Sequence, residues 1–448
     1  MPLLPIVPYA ERRDRLAAVL DRRAVFDDAV EAAVRSILDD VRGRGDAALL
    51  DLTERFDGVR PAPLKATEGE LDAALDALDP GLRATLEAAA ANVRRFHEAE
   101  MPASWTRDDG DGVAYGQRVR PVDRAGLYVP AGTAPLPSSV VMNAVPAQVA
   151  GVGELHVCSP PGPDGRPHPL VLATARLLGV EHVYAVGGAQ AVAALAFGTE
   201  TVPRVDVVVG PGNAYVATAK KLVVGQVGID SVAGPSEVVV LADADADPTF
   251  AAADLLAQAE HDERASAVLV TPSQALADAV QAEVERLVPT LPRADVLRRS
   301  VPAYGAAVVT RTMAEAVACV DELAPEHLVI LSDDADALWA QVRHAGAVFL
   351  GAHSPEPVGD YYAGPNHVLP TGGTARFASA LGVGVFLRRQ SVLRYSAARL
   401  AQTGEAIARL AEAEGLDAHA LAVRLRLSSD GSRVTGDEPS ATTAPPVA

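Results

Sequence analysis

The spacing of apolar residues changes once along the chain. Over residues 27–58 and 68–100, Ala and Leu recur about every three to four positions among Arg and Glu, which predicts helices interrupted at Asp79-Pro80-Gly81. From Val119 onward, short apolar runs alternate with Ala-rich amphipathic stretches. Such alternation is typical of βαβ units and therefore predicts parallel sheets.

The apolar runs form two series. The first predicts strands at 126–129, 154–158, 182–186 and 205–209. The second predicts strands at 238–241, 267–270, 328–331 and 347–350, with helices at 248–260, 273–287, 313–322 and 334–344. We therefore expect an α/β protein with two Rossmann-like parallel-sheet domains, one inserted in the other, plus a small helical C-terminal region.

The length of 448 residues agrees with several domains, because one hydrophobic core rarely extends over so long a chain. The predicted parts are an N-terminal segment at 1–24, a first α/β domain at 25–126 and 237–380, a second at 127–236, a helical region at 381–428 and a tail at 429–448. The tail is rich in Ser, Thr, Pro, Gly and Asp, so we expect it to be disordered.

Composition excludes several kinds of partner. The formal net charge of -19 argues against a nucleic-acid-binding surface, because phosphate binding needs clustered Lys and Arg. Cys158 and Cys319 form no Cys-x-x-Cys pair, so a disulfide framework is not expected. The first residues lack the pattern of a signal peptide, and no unbroken apolar run reaches membrane-spanning length. We therefore expect a cytoplasmic protein without membrane or nucleic-acid partners.

Two strand-turn-helix junctions are suited to a dinucleotide. Gly187-Gly188-Ala189-Gln190 follows the third strand of the first series, and Gly210-Pro211-Gly212-Asn213 follows the fourth. Glycines there let backbone N–H groups approach a phosphate, and the next helix N-terminus favours its charge. Neither junction has the complete Gly-x-Gly-x-x-Gly pattern, so either alone is better explained as a tight turn. Two in one unit favour a site for a nucleotide or another phosphate.

Dispersed polar segments indicate a metal and acid–base chemistry. Gln258 and His261 lie at the end of a predicted helix, Asp360 lies in a long Gly/Pro-rich segment at 351–371 that predicts a loop, and His419 comes late. These groups offer the nitrogen and oxygen ligands that zinc accepts. Glu326-His327, predicted on a loop at a sheet edge, pairs a carboxylate with an imidazole for proton transfer. Each segment alone has a plain structural explanation.

In this order, the segments resemble the histidinol dehydrogenase family over residues 25–427. The motifs that carry the resemblance are Gly126–Gly132, Gly187–Gln190, Gly210–Asn213, Ala233–Glu237, Gln258–His261, Ala324–His327, Gly359–Tyr361, Asn366–Pro370 and Ala413–Gly415 followed by His419. Each motif is weak alone, but the ordered set is highly specific.

The resemblance implies a four-electron oxidation of L-histidinol to L-histidine through the aldehyde, with two NAD⁺ and one zinc ion per subunit, as the last step of histidine biosynthesis. By resemblance, the site residues are the zinc ligands Gln258, His261, Asp360 and His419, the substrate-binding residues Ser236 and Glu414, the NAD contacts Tyr128, Gln190 and Asn213, the base His327, and Glu326, which activates water. The ligands and His327 would also contact substrate.

The resemblance further implies a homodimer in which Glu414 and His419 reach the partner's active site. A role for His367 stays open, with support favoured over ligation. The alternative from another reaction class is a zinc hydrolase of a small nitrogenous substrate, since the same Glu, His and metal could activate water. The glycine junctions argue against it, because a hydrolase needs no dinucleotide site.

Overall fold

The computed structural model describes residues 2–20, 28–131 and 135–428. The predicted tail at 429–448 and Gly132 of the first motif lie outside the described residues. The chain divides into two compact units: Met1–Met101 with Pro121–Leu387, and Pro102–Arg120 with Arg388–Ala448. Each unit is described by itself.

The first unit begins with a short strand and six helices. These are β1 (Ile6–Pro8), α1 (Arg12–Arg15), α2 (Ala17–Leu20), α3 (Asp28–Arg44), α4 (Asp46–Asp57), α5 (Glu68–Asp76) and α6 (Pro80–Ala99). Thr67 caps α5 in a capping box with Glu70, and Asp79 caps α6 with Pro80 in the first turn. The predicted helix break at Asp79-Pro80-Gly81 is confirmed.

Two strands of the second unit follow, β2 (Trp105–Asp108) and β3 (Val113–Pro121). The first series then forms a five-stranded sheet in the order β6-β5-β4-β7-β8, and every pairing in it is parallel. Its elements are β4 (Arg124–Tyr128), α7 (Pro137–Ala150), β5 (Glu154–Ser159), α8 (Pro169–Leu177), β6 (His182–Ala185), α9 (Gly188–Phe197), β7 (Val207–Val209), α10 (Ala214–Val223) and β8 (Gly228–Ile229). Strand β7 begins two residues later than the apolar run.

The second series forms a six-stranded parallel sheet in the order β1-β11-β10-β9-β12-β13. Its further elements are β9 (Glu237–Ala242), α11 (Pro248–Ala259), β10 (Ser266–Thr271), α12 (Gln274–Leu287), α13 (Ala294–Tyr304), β11 (Ala306–Val309), α14 (Met313–Leu323), β12 (His327–Leu331), α15 (Ala335–Trp339) and β13 (Ala347–Leu350). Helix α15 is shorter than the predicted 334–344. Buried Val and Leu from β9, β10 and α12 fill one face of this sheet.

Two predicted segments differ from the structure. The segment at 351–371 is not without secondary structure, because α16 (Glu356–Tyr361) begins after Pro355 and carries Asp360. The region at 381–428 is not wholly helical: β14 (Leu387–Tyr395) precedes α17 (Ala397–Ala413) and α18 (Asp417–Ser428). In the second unit, β14 pairs with β3, which pairs antiparallel with β2.

The predicted α/β class is confirmed, with two parallel sheets and a mainly helical C-terminal part. Strands of the five-stranded sheet lie within 124–229, and those of the six-stranded sheet lie at 6–8 and within 237–350. The domain limits stay a prediction. Among the described helices, none combines the length and the apolar character that a membrane span requires.

Candidate functional site

A cleft of about 540 Å³ lies in the first unit, between loops of the two parallel sheets. The five-stranded sheet contributes Pro211–Ala214, which follow β7, and the connection to β9 contributes Ala233–Ser236. The six-stranded side contributes the polar residues His261, Glu326, His327, Asp360 and His367. The structure thus brings Asn213, Ser236 and most of the predicted polar residues to one cavity.

Glu326 and His327 lie where the chain enters the centre of the six-stranded sheet. After α14, Ala324 adopts a left-handed conformation (φ 47°), and His327 is the first residue of β12. Strand β12 pairs with β9 on one side and β13 on the other, so the predicted location at a sheet edge is wrong, although Glu326 does lie on the loop before the strand. The pair lies at the amino end of an interior strand, and both side chains are buried.

Hydrogen bonds fix the orientation of the His327 ring. Its Nδ1 lies 3.2 Å from the carbonyl oxygen of Glu237, which can only accept, so Nδ1 carries the proton of the neutral ring. Nε2 is buried, has no hydrogen-bond partner among the described residues and lies 3.4 Å from Asp360 Oδ1. In the neutral ring, the lone pair of Nε2 therefore faces the cleft and Asp360, as a base requires.

Glu326 is held by the neighbouring strand. Its Oε2 accepts a hydrogen bond of 2.8 Å from the backbone N–H of Glu237 and lies 3.7 Å from His327 Nδ1. Burial raises the pKa of Glu326 to about 8 against the opposing effect of His327. The raised pKa makes the ionised carboxylate of Glu326 a stronger base toward water than an ordinary carboxylate.

A second buried carboxylate, which is not among the predicted site residues, lies beside these groups. Glu356 on α16 is 1% exposed, and burial raises its pKa to about 8, with Asp360 and Glu326 adding to the effect. One ligand atom from each of His327, Glu356 and Asp360 lies within 4.8 Å of the others. Glu356 and Asp360 are four residues apart, which places both on one face of a helix. That spacing was a usable signal, but the predicted loop at 351–371 obscured it.

The cluster of buried charged groups shifts the pKa values of both the His327 imidazole and the Asp360 carboxylate. Burial acts to lower the pKa of His327, yet the carboxylates of Glu356, Glu326 and Asp360 raise it to about 10. Burial acts to raise the pKa of Asp360, yet His327 keeps it below its usual range. A divalent cation among these carboxylates would oppose the shift at His327, because it cancels their field.

The predicted ligands Gln258 and His261 lie at the end of α11. Gln258 is fully buried, and in the amide orientation that satisfies both side chains its Nε2 donates to Glu356, 3.0 Å from Oε2. The amide oxygen of Gln258 is therefore turned away from Glu356 and is available to a cation. His261 lines the cleft just beyond the helix, where burial lowers its pKa and Asp360 opposes that effect.

This donor set fits a zinc ion. It combines the imidazole of His261, the carboxylate of Asp360 and the amide oxygen of Gln258, the last two on buried side chains. His367 can offer a metal ion only its Nε2, because its Nδ1 lies 3.0 Å from the carbonyl oxygen of Asp360. That contact joins His367 to a predicted zinc ligand, and the supporting role of His367 stays a prediction.

The two glycine junctions are joined through Tyr128 in the first unit. The Tyr128 hydroxyl accepts a hydrogen bond of 3.1 Å from the Gly188 N–H, and its carbonyl packs directly against Gly210. Tyr128 and Gln190 are buried and are not part of the cleft wall described above. Asn213 does line the cleft, and its Oδ1 caps α10 by accepting from Tyr215 and Val216.

Glu414 and His419 belong to the second unit. Glu414 is the C-terminal cap of α17, His419 lies in the first turn of α18, and both are exposed. They line a groove with apolar residues of the same two helices and of the connection between them, including Ile407, Leu410 and Leu416. The first unit by itself therefore holds three of the four predicted zinc ligands.

Comparison with known proteins relates almost the whole chain to one family. A family model described as histidinol dehydrogenase matches residues 20–427. The histidinol dehydrogenase of Geobacillus kaustophilus is 53% identical over 417 residues, which are 92% of this chain and 98% of that protein. The one from Burkholderia pseudomallei is 52% identical over 428 residues, or 94% and 96% of the two chains. The crystal structure of histidinol dehydrogenase from Elizabethkingia anophelis has a TM-score of 0.88 and 32% identity, covering 96% of this chain and 99% of that one.

Proposed function

Because the chain belongs to the histidinol dehydrogenase family, we propose that it oxidises L-histidinol to L-histidine through the aldehyde, with two NAD⁺ and one zinc ion per subunit. The observation that carries the proposal is the His327 ring, held through Nδ1 with Nε2 free beside Asp360 and with Glu326 next to it. As the last step of histidine biosynthesis, this reaction would belong in the cytoplasm.

Zinc would be held by Gln258, His261, Asp360 and His419, the set implied by the family motifs. When bound, it supplies a Lewis-acidic centre that orients the nitrogen atoms of the substrate. The cleft residue Ser236 would bind substrate from the start of β9, together with Glu414. Glu356 supports this set, because its contact with the amide N–H of Gln258 fixes which way the amide oxygen points.

In the first oxidation, His327 Nε2 accepts the proton of the substrate hydroxyl. NAD⁺ supplies the acceptor for the hydride that leaves the same carbon. The Glu237 carbonyl keeps Nδ1 protonated and so keeps Nε2 in the acceptor form. The function also requires His327 to be neutral before the step, which the field of a cation near Asp360 and Glu356 favours.

In the second oxidation, Glu326 accepts a proton from water as the water oxygen attacks the aldehyde carbon. Its burial and raised pKa suit that role near neutral pH. The resulting hydrate would then transfer a hydride to a second NAD⁺. The two hydrides together account for the four electrons lost between alcohol and carboxylate. The dinucleotide would contact Tyr128, Gln190 and Asn213 at the two glycine junctions.

We further propose a homodimer in which Glu414 and His419 complete the partner's site. Both side chains are exposed, and α17 and α18 carry several exposed large apolar residues, among them Leu410 (71%) and Leu425 (59%). Exposed apolar surface of this kind is typical of an interface between chains. A zinc ligand that is exposed in its own chain is also available to another chain.

The deciding experiment measures NADH formed per L-histidinol consumed, with zinc-loaded protein and excess NAD⁺. A ratio of about two with histidine as product is expected, because each hydride reduces one NAD⁺. Absence of NADH from folded, zinc-loaded protein would reject the proposal. The zinc hydrolase alternative predicts product release without NADH and no NAD⁺-dependent rise in unfolding temperature.

A further inference from the structure

A buried ion pair lies directly beneath the second glycine junction. The side chains of Lys220 on α10 and Asp230 after β8 contact each other and are only 2% and 3% exposed. Lys220 Nζ also donates a hydrogen bond of 2.9 Å to the carbonyl oxygen of Gly210. Asp230 Oδ2 accepts one of 2.9 Å from the N–H of the same glycine. The pair thus forms hydrogen bonds with both the N–H and the carbonyl oxygen of Gly210.

Gly210 has little freedom to move or to change identity. Its φ of 114° is a conformation that side-chain-bearing residues rarely adopt, and a Cβ there would lie 2.2 Å from the carbonyl oxygen of Tyr128. The next residues, Pro211 to Ala214, line the cleft and lead into the start of α10. The position of Gly210 therefore sets the position of this wall of the cleft.

Stability alone does not explain a buried charged pair at this place. Removing two charges from water is costly, and apolar replacements of similar volume are often neutral or stabilising. Hydrogen bonds from both charges to one backbone residue, in contrast, restrict that residue to a single position. The structure therefore favours a role in geometry.

We propose that the Lys220–Asp230 pair is a positioning device that holds the Gly210–Asn213 turn in the conformation that accepts the NAD⁺ phosphates. This inference rests on the proposed dehydrogenase function. Neither side chain lines the cleft, so the pair acts through the backbone of Gly210 and touches no reacting atom. The same helix provides a matched control, because the neighbouring Lys221 is 45% exposed and pairs with Glu31.

The test compares three variants by steady-state kinetics, direct NAD⁺ titration and thermal unfolding. Lys220→Met with Asp230→Leu removes both charges and leaves an apolar filling, and Asp230→Asn keeps the size and an acceptor oxygen. We expect the KM and Kd for NAD⁺ to rise about tenfold in the double variant and less in Asp230→Asn, since hydrogen bonds to charged groups are lost. The KM for L-histidinol should stay near the wild-type value, and Lys221→Met should leave all constants unchanged.

The outcomes separate this inference from the function on which it rests. If wild-type protein forms NADH but both variants altered at Asp230 bind NAD⁺ within about twofold of wild type, the positioning role is overturned. A parallel rise in both KM values with a lower unfolding temperature would show a merely structural pair and also overturn it. If the double variant does not fold, Asp230→Asn decides by the same criterion. Wild-type protein that neither binds NAD⁺ nor forms NADH would reject the function itself.

Discussion

Glu356 lies beside two of the proposed zinc ligands, Gln258 and Asp360. Its carboxylate accepts a hydrogen bond from the amide N–H of Gln258. One of its oxygens lies within 4.8 Å of a potential ligand atom on His327 and of one on Asp360. Residues that orient metal ligands typically affect metal affinity about 10- to 100-fold. We therefore expect Glu356→Gln to weaken zinc binding roughly tenfold, because the charge beside the cation and the constraint on Gln258 are both reduced. Competition with a chelating dye measures this affinity without any assay of activity.

The control is Glu283→Gln, since Glu283 forms an ion pair with Arg286 on an exposed part of α12. It should leave zinc affinity and unfolding temperature unchanged. Equal zinc affinity in Glu356→Gln and wild type would show that Glu356 neither orients Gln258 nor interacts with the metal.

A second residue-scale prediction concerns His156, away from the cleft. This side chain is buried, and its ring stacks on His182 at 4.8 Å. Burial, with the charge of His182, lowers the pKa of His156 from 6.5 to about 4. Between these pH values the unfolded chain binds a proton that the folded chain does not, so stability falls as pH decreases from 6.5 toward 4.

The variant His156→Asn lacks this titrating imidazole, so the contribution of His156 to the pH dependence of stability is absent. The loss of unfolding free energy between pH 6.5 and pH 4 should therefore be smaller than in wild type, by at most about 3 kcal/mol. Denaturant titrations at several pH values measure the difference, with His353→Asn on the exposed segment after β13 as control. An identical pH dependence in His156→Asn and wild type would contradict the prediction.

At the residue scale, the sequence predicted which side chains are chemically suited to the site better than it predicted how those side chains contact one another. Glu326, His327, His261 and Asp360 were recognisable because their side chains suit metal binding and proton transfer, and the structure brings them to one cleft. Their roles stay proposals. The contact between Gln258 and Glu356 was not predictable, because it depends on how α16 packs against α11.

At the element scale, α16 is the helix whose position matters most to the cleft. Gly359 lies in this helix, and a Cβ there would lie 2.5 Å from the Phe349 ring. Phe349 in turn stacks on His327, with ring centroids 6.0 Å apart. We expect Gly359→Ala to displace the ring or the helix, to destabilise the protein by about 1–3 kcal/mol and to lower kcat. Thermal unfolding and kinetics measure the two effects.

Gly384→Ala is the matched control, because a Cβ at Gly384 would have no neighbouring atom within 4 Å and the backbone there is not left-handed. It should change neither stability nor activity appreciably. A Gly359→Ala variant that matched Gly384→Ala in both measurements would show that α16 and Phe349 adapt without affecting His327.

The elements that the sequence predicted are those with long or regular patterns. Strands β9, β10 and β12 are largely apolar runs, as expected for strands buried on both faces of a parallel sheet, and the half-buried edge strand β13 is apolar as well. Strand β1 is three residues long and ends in Pro8, so it gives almost no periodic signal. Strand β14 is a largely exposed strand with Arg and Gln, which resembles a polar helix in composition. Tertiary pairing decides such segments.

At the scale of the whole molecule, the cleft combines opposite ends of two sheets within the first unit. The turn after β7 lies at the carboxyl end of its strand, whereas Ser236 and Glu326 precede β9 and β12 at their amino ends. Open α/β sheets usually bind ligands at carboxyl ends. A single sequence predicts both sheets but not which ends meet, because that arrangement results from packing between distant segments.

The proposed sharing of sites between subunits gives the largest-scale prediction. If Glu414 and His419 serve the partner's zinc, Glu326→Ala and His419→Ala each inactivate both sites of a homodimer, but a mixed dimer has one intact site. Unfolding and refolding the two variants together should therefore restore about a quarter of the wild-type activity per subunit, as random association in a twofold dimer requires. Mixing Glu326→Ala with His327→Ala is the control and should restore none, because both residues lie in the same unit of one chain. If the first mixture also stays inactive while the proteins form dimers, His419 acts in its own subunit.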